Sequence, residues 1–244
     1  MIVNQIDSTT NFEEGVVITI DKPYKWTSFD VIRKVQAMLR YKLGYKKIKV
    51  GHAGTLDPLA TGLLIVCIGK ATKKIESLQS EEKEYMANVC FGATTPCFDL
   101  EKPIDAEYPF EHITEEGIRE IIPQFLGEQD QVAPLFSAKL VDGIRAYELA
   151  REGSDMELKP HRITIHEMKL LQYNAPVADF LVRCSKGTYI RSLARDLGLA
   201  LNSGAHLTGL RRTTSGHFRV EDAYSMEKIE KIFDELKQTR IRAV

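Results

Sequence analysis

The sequence predicts an α+β fold, a central mixed or antiparallel sheet with flanking helices, on three observations. Leu63-Leu64-Ile65-Val66-Cys67-Ile68 is a continuous apolar run closed by Gly69, the pattern of a strand buried on both faces. Tyr85, Ala87, Val89 and Phe91 alternate with Met86, Asn88 and Cys90, the period of two of a strand with one inward face. Residues 163–173 and 179–185 are strand-like and flank Asn174-Ala175-Pro176, which reads as a hairpin. Helical stretches separate these without a β-α-β rhythm, which favours α+β over a doubly wound parallel sheet.

The remaining elements follow in order. Residues 16–20 read as a short strand. Thr27 or Ser28 then caps a helix whose apolar stripe is Val31, Ile32, Val35, Met38 and Leu39, with Gly44 suited to its end. Thr114 caps a second helix, with Glu115 and Glu116 in its first turn, Ile118, Ile121 and Ile122 inward, and Pro123 ending it. After Lys186-Gly187, Thr188 is expected to cap a helix that turns Ile190, Leu193, Ala194 and Leu197 inward and stops at Gly198. A last helix covers residues 226–237. No internal repeat, low-complexity tract or interdomain linker interrupts the chain.

Composition bounds the function. A chain of 244 residues that is 43% hydrophobic holds enough apolar side chains for a proper core. No window approaches the roughly 18 apolar residues of a membrane span, and residues 1–14 show no basic-then-apolar signal, so a cytoplasmic location is expected. Cys67, Cys90, Cys97 and Cys184 form no CxxC pair, which points to reduced buried thiols rather than disulfides or a metal site. Net charge of -1 is unlike a generic nucleic-acid binder, but the charge is segregated. Residues 33–49 carry seven basic side chains (Arg33, Lys34, Arg40, Lys42, Lys46, Lys47, Lys49) and no acid, leaving -8 for the rest of the chain. Such a segment either neutralises phosphates or is a solvated face.

That basic segment leads directly into Gly51-His52-Ala53-Gly54-Thr55-Leu56-Asp57-Pro58-Leu59-Ala60-Thr61-Gly62. Pro58 pushes Asp57 toward an extended backbone, the glycines permit turns, and the buried run that follows anchors one end. Ordinary turn chemistry would produce Asp-Pro and scattered glycines too. A carboxylate held this way is presented to solvent, as a nucleophile or general base must be.

The whole string resembles the catalytic motif of the TruB-type pseudouridine synthases, and four further blocks agree. These are Asp21-Lys22-Pro23-Tyr24-Lys25-Trp26-Thr27-Ser28; Lys83-Glu84-Tyr85 with Phe91-Gly92; Phe136-Ser137-Ala138-Lys139 continuing through Gly143, residues 145–151 and Gly153; and residues 184–194 with His206-Leu207-Thr208-Gly209-Leu210-Arg211-Arg212. They run in the family's order from about residue 17 to 220. The resemblance implies one catalytic domain over 1–244, a thumb-like insertion within about residues 100–160, and no C-terminal PUA domain. It implies isomerisation of uridine to pseudouridine at position 55 in the T-loop of tRNA, by a monomer without guide RNA or obligatory protein partner, and without cofactor or metal.

The same resemblance assigns residues. Asp57 is the essential carboxylate, acting on the sugar as nucleophile or as base. Arg191 is its cationic partner, always charged and able to pair bidentately. Tyr85 stacks on the flipped uracil and serves the C5 proton, Tyr189 buttresses the pocket, and Leu210 is an apolar wall. His52 contacts RNA and fills the stack the flipped nucleotides vacate, and Lys22, counted with the substrate-binding residues, packs beside the catalytic loop. Two positions depart from the family: Lys25 stands where glycine is usual, so that turn is expected to differ, and Pro96-Cys97-Phe98 replaces a polar run. The competing classes are a guide-dependent synthase subunit of the dyskerin type, a non-catalytic RNA-binding module, and a phosphate-cradling hydrolase. The last lacks a GxxxxGK[ST] pattern.

Overall fold

The computed structural model describes residues 6–137, 140–141, 144–145 and 158–242. Ala138, Lys139, Gly143, residues 146–151 and Gly153, and with them part of the expected thumb, lie outside the described residues. The chain divides into two compact units, one formed by residues up to Lys83 together with those from Arg211 onward, the other by Glu84–Leu210.

In the first unit, β1 (Val16–Lys22) pairs antiparallel with β3 (Ala60–Ile68), from Val16 opposite Ile68 to Lys22 opposite Gly62. The short β2 (Val50–His52) also joins β3 antiparallel. Residues from Arg211 in β12 (Ala205–Ser215) lie on the inner side of β3, and β13 (Phe218–Arg219) closes back on β12. Leu64, Val66 and Ile68 pack with Val31, Val35 and Leu39 of α1 (Ser28–Leu43) and with Ile229 and Phe233 of α5 (Met226–Arg242). Leu63, Ile65 and Cys67 point the other way, onto Val17, Ala53, Phe218 and Val220. Successive side chains of a strand alternate faces, so a strand sandwiched between two apolar layers has no polar position. That is why the run is unbroken.

Helix α1 begins at Thr27, whose hydroxyl accepts from the Asp30 N–H while the Asp30 carboxylate accepts from the Thr27 N–H, a reciprocal capping box. It ends at Gly44 in the left-handed region (φ 80), with every residue of the expected stripe buried. A 3₁₀ turn (Gly69–Lys74) and α2 (Ile75–Ser80) complete this unit.

The second unit is a sheet in the order β12, β4 (Lys83–Phe91), β11 (Val177–Cys184), β10 (His161–Asn174), β7 (Gly127–Gln131). β10 and β11 form the expected hairpin, antiparallel from Asn174 opposite Val177, and β7 runs antiparallel to β10. Ile190, Leu193, Ala194 and Leu197 of α4 (Ile190–Ala200) share an apolar core with Ala87, Val89, Met168, Phe180 and Val182. Smaller pairs, β5 (Ala93–Thr94) with β6 (Ala106–Glu107) and β8 (Leu140–Val141) with β9 (Ile144–Arg145), and α3 (Glu115–Ile121) are appended. Thr114 caps α3 through the Gly117 N–H.

Two expectations about α4 are corrected. Its N-cap is Tyr189, with no side-chain cap, because the Thr188 hydroxyl donates to the Ser185 carbonyl instead (3.0 Å). Gly198 does not stop the helix, which runs to Ala200; a Cβ there would lie 2.5 Å from the Ala205 nitrogen, so the glycine serves close packing. Cys67, Cys97 and Cys184 are buried free thiols and Cys90 is half-buried. Burial pushes the Cys67 thiol up to about 11, which keeps it protonated. Among the described residues no helix is long and apolar enough to cross a membrane.

Candidate active site

Asp57 lies half-buried on the irregular segment between β2 and β3, in the first unit. The main chain on both sides of it is held by side chains from distant parts of the sequence. The buried Ser28 hydroxyl accepts from the Leu56 N–H (2.8 Å) and donates to the Leu56 carbonyl (3.1 Å). The Asp57 carbonyl accepts from the Ala60 N–H (3.1 Å). Arg212, only 1% exposed, donates to the Gly54 (3.1 Å) and Leu63 (2.7 Å) carbonyls. A loop whose carbonyls and N–H groups are satisfied this way has few alternative conformations, so the carboxylate it carries is pre-positioned.

Lys22 was expected among the substrate-binding residues, and here the structure corrects the reading. It has no exposed surface, and its ammonium donates to the carbonyls of Pro23 (3.1 Å), Pro58 (3.3 Å) and Trp26. A cation turned inward onto carbonyls supports the loop and presents no charge at the surface; a buried charge is tolerable only when hydrogen-bonded in this way. Lys25 takes the left-handed backbone (φ 65) and donates its N–H to the same Pro58 carbonyl (2.9 Å). The turn expected to differ therefore keeps a glycine-like conformation despite carrying a side chain.

His52, at the end of β2, is half-buried, and its Nδ1 is buried without a hydrogen-bond partner. Burial, and then the positive Arg212, hold its pKa below the usual histidine value, with a main-chain bond at Gly54 opposing. The folded chain thus prefers the neutral ring. The unfolded chain titrates near about 6.5, so this contribution to stability is full above that pH and is lost as pH falls through it toward the lower folded value. We expect His52→Gln to flatten that dependence. Urea midpoints near pH 7.5 and about 5.5 should differ less in the variant than in wild type; equal differences would show that His52 does not titrate between the folded and unfolded states.

The second unit holds the other expected residues. Arg191, in the first turn of α4, is 4% exposed, against the usual surface habit of arginine. Its guanidinium donates to the carbonyls of Cys97 (3.1 Å) and Phe136 (3.0 Å), and its Nε lies 3.7 Å from the buried Asp99 carboxylate. Tyr189 is clamped through its backbone: the Gln131 side chain accepts from its N–H (2.8 Å) and donates to its carbonyl (3.1 Å). Its ring meets His161 edge-on at 5.8 Å, and His161 Nε2 is bonded to the Gly187 carbonyl (2.9 Å). Tyr85 is 8% exposed, on the inward face of β4 with Ala87, Val89 and Phe91, and Leu210 is half-buried on β12.

Four supporting residues went unassigned by sequence reasoning. Ser28 was weighed only as a cap. Arg212 sat in the Arg211-Arg212 pair with no role; strand alternation was the available signal, since adjacent residues face opposite ways. Arg211 indeed turns outward to pair bidentately with Asp21 (3.0 and 2.7 Å) while Arg212 is buried. Asp99 and Gln131 carry no local signal.

Comparison with solved structures defines the class. A chain of a Cbf5-Nop10-Gar1 complex matches with a TM-score of 0.71 and 28% identity over 94% of this chain and 57% of that one. A chain from an H/ACA ribonucleoprotein bound to a substrate RNA containing 2'-deoxyuridine gives 0.68 and 26%, over 94% and 56%. This chain therefore spans just over half the length of those solved chains. Relatives of higher identity are covered over a larger share of their length. tRNA pseudouridine synthase B of Phocaeicola vulgatus is 58% identical over 92% of this chain and 96% of the relative, and that of Chlorobium luteolum 45% over 88% and 74%. Residues 40–190 match the TruB family pseudouridylate synthase N-terminal domain, and residues 191–244 the tRNA pseudouridylate synthase B C-terminal domain. The chain belongs to the TruB family of pseudouridylate synthases.

Proposed function

We propose that this chain isomerises a uridine of tRNA to pseudouridine, at position 55 of the T-loop, acting alone and without cofactor. The observation that carries the reading is the Asp57 loop, a half-exposed carboxylate whose flanking main chain is braced by Ser28, Lys22, Lys25 and Arg212. The reaction breaks the bond from C1' to N1, turns the uracil, forms the bond from C1' to C5 and moves the C5 proton away, with no net redox change. It needs an ionised carboxylate beside the sugar, acting as nucleophile or as base, and an aromatic slot that retains the detached ring. Asp57 is proposed for the first, with Arg191 keeping it charged. Tyr85 is proposed to stack on the base and serve the C5 proton, Tyr189 and Leu210 to wall the slot, and His52 to contact RNA beside the flipped nucleotide.

The near-equal length and 58% identity of the synthase B relative, against 28% for the ribonucleoprotein subunit, favour a guide-independent enzyme. The absence of a long apolar helix among the described residues agrees with a cytoplasmic tRNA modifier. The purified chain, with unmodified tRNA transcript alone and no metal, nucleotide or guide RNA, is expected to release label from uridine C5 at one T-loop position. No release from wild type would remove the reading.

A further inference from the structure

The outer face of α1 carries a stripe that the reaction does not use. Phe29, Arg33, Gln36 and Arg40 recur every three or four residues and so lie along one line of the helix, with Tyr41 beside the last; all are exposed. Tyr41 is 72% and Phe29 63% exposed, among the most exposed large apolar side chains of the described residues. Each has a guanidinium over its ring: Arg40 lies 5.3 Å from the Tyr41 centroid and Arg33 5.9 Å from that of Phe29. Gln36 donates to the Ile48 carbonyl (3.3 Å), which ties to the helix the following loop with exposed Lys46, Lys47 and Lys49.

The cations of this segment fall into two groups. Lys34 and Lys42 are neutralised by Glu230 and Asp234 of α5, at 2.9 and 2.7 Å for the shortest contacts. Arg33, Arg40, Lys46, Lys47 and Lys49 have no carboxylate within 4 Å among the described residues. The sole acid of residues 24–49 is Asp30, which is engaged in the helix cap. Five exposed cations with no carboxylate within 4 Å among the described residues, beside exposed rings, form a surface that offers both positive charge and flat apolar area to a partner.

A partner must therefore supply both negative charge and flat apolar faces. Unpaired RNA does: its phosphates take guanidinium and ammonium groups, and its bases stack on aromatic rings. An arginine already resting on a ring keeps its N–H edge available for phosphate with less conformational freedom left to lose. Phe29 and Tyr41 are about 18 Å apart along the helix axis at the α-helical rise, room for several nucleotides.

We infer that this face is a second RNA-binding surface, where Arg33, Arg40 and the loop lysines contact phosphates and Phe29 and Tyr41 stack on unpaired bases of the same tRNA. The tRNA identity of the strand rests on the proposed function; the surface itself does not.

The test is equilibrium binding of full-length unmodified tRNA transcript over a range of salt, which needs no turnover. Arg33→Ala with Arg40→Ala is expected to weaken binding and to reduce the slope of log K against log salt by about 1.4 to 1.8, one phosphate per arginine. Phe29→Ala with Tyr41→Ala is expected to weaken binding about fivefold or more with the slope unchanged. Lys34→Ala, a cation already paired, is expected to leave the slope at its wild-type value. An unchanged slope in a folded Arg33→Ala, Arg40→Ala protein overturns the inference. So does a result in which these variants change only the sedimentation of the free protein, which assigns the face to protein contact. Failure here alongside C5-label release by wild type removes the surface and leaves the proposed function standing; the expected slope reduction without release does the reverse.

Discussion

Asp57→Asn is expected to abolish turnover, by on the order of 10⁴-fold or more, while tRNA affinity stays near its wild-type value. Asparagine matches aspartate in shape but is neither a nucleophile nor a base at neutral pH. The bonds that hold the loop run to main-chain groups of Gly54, Leu56, Asp57 and Pro58, so the substitution leaves the bracing in place. Single-turnover release of C5 label and filter binding, measured on the same preparation, separate the two effects. A variant that keeps turnover within tenfold of wild type would take Asp57 out of the chemistry. The same experiment distinguishes an isomerase from an RNA-binding module, which would not notice the change.

Gly62→Ala should cause the largest loss of stability of any single methyl addition in the loop. Gly62 has φ 101, and a Cβ built on it lies 2.3 Å from the Arg212 carbonyl oxygen and 2.8 Å from the Arg212 nitrogen. The positive φ alone costs about 1–2 kcal/mol for an L-residue. The clash adds to it, because the obstruction is backbone of the adjacent strand and no side-chain rotation relieves it. A total of about 4 kcal/mol or more is expected, in the range reserved for severe structural conflict. Gly44→Ala is the control: its φ is 80 but nothing lies within 4 Å of the added carbon, so only about 1 kcal/mol of strain applies. Urea midpoints measure both. If the two variants fall equally, backbone strain and not the close approach to Arg212 is what demands glycine at 62.

Much of the fold was legible because its signals are local. The sandwiched run 63–68, the alternation of 85–91, the hairpin around Asn174-Ala175-Pro176 and the stripe of α1 all appear where expected. Misreadings arose where two polar residues competed for one task. Thr188 looked like a cap, but the Ser185 carbonyl took its hydroxyl. Lys25 looked like a disturbed turn, yet its N–H reaches Pro58 from a left-handed backbone that glycine would adopt at less cost. Lys22 was counted with the substrate-binding residues from its place in a motif that packs beside the catalytic loop; the packing holds, with three carbonyls keeping its ammonium inside.

Local pattern was enough to place the longer strands and helices, while the choice of Asp57 among the carboxylates came from the whole motif string and its resemblance to a known family. Periodicity and the stiffness of an Asp-Pro pair act over a few residues and need no partner elsewhere. The bracing of that carboxylate was a matter for the folded chain. Ser28 finds Leu56 across 28 positions, Lys22 finds Pro58 across 36, and Arg212 finds Gly54 across 158. A buried donor is satisfied by whichever carbonyl packing brings within reach, and that proximity exists only once distant segments have met.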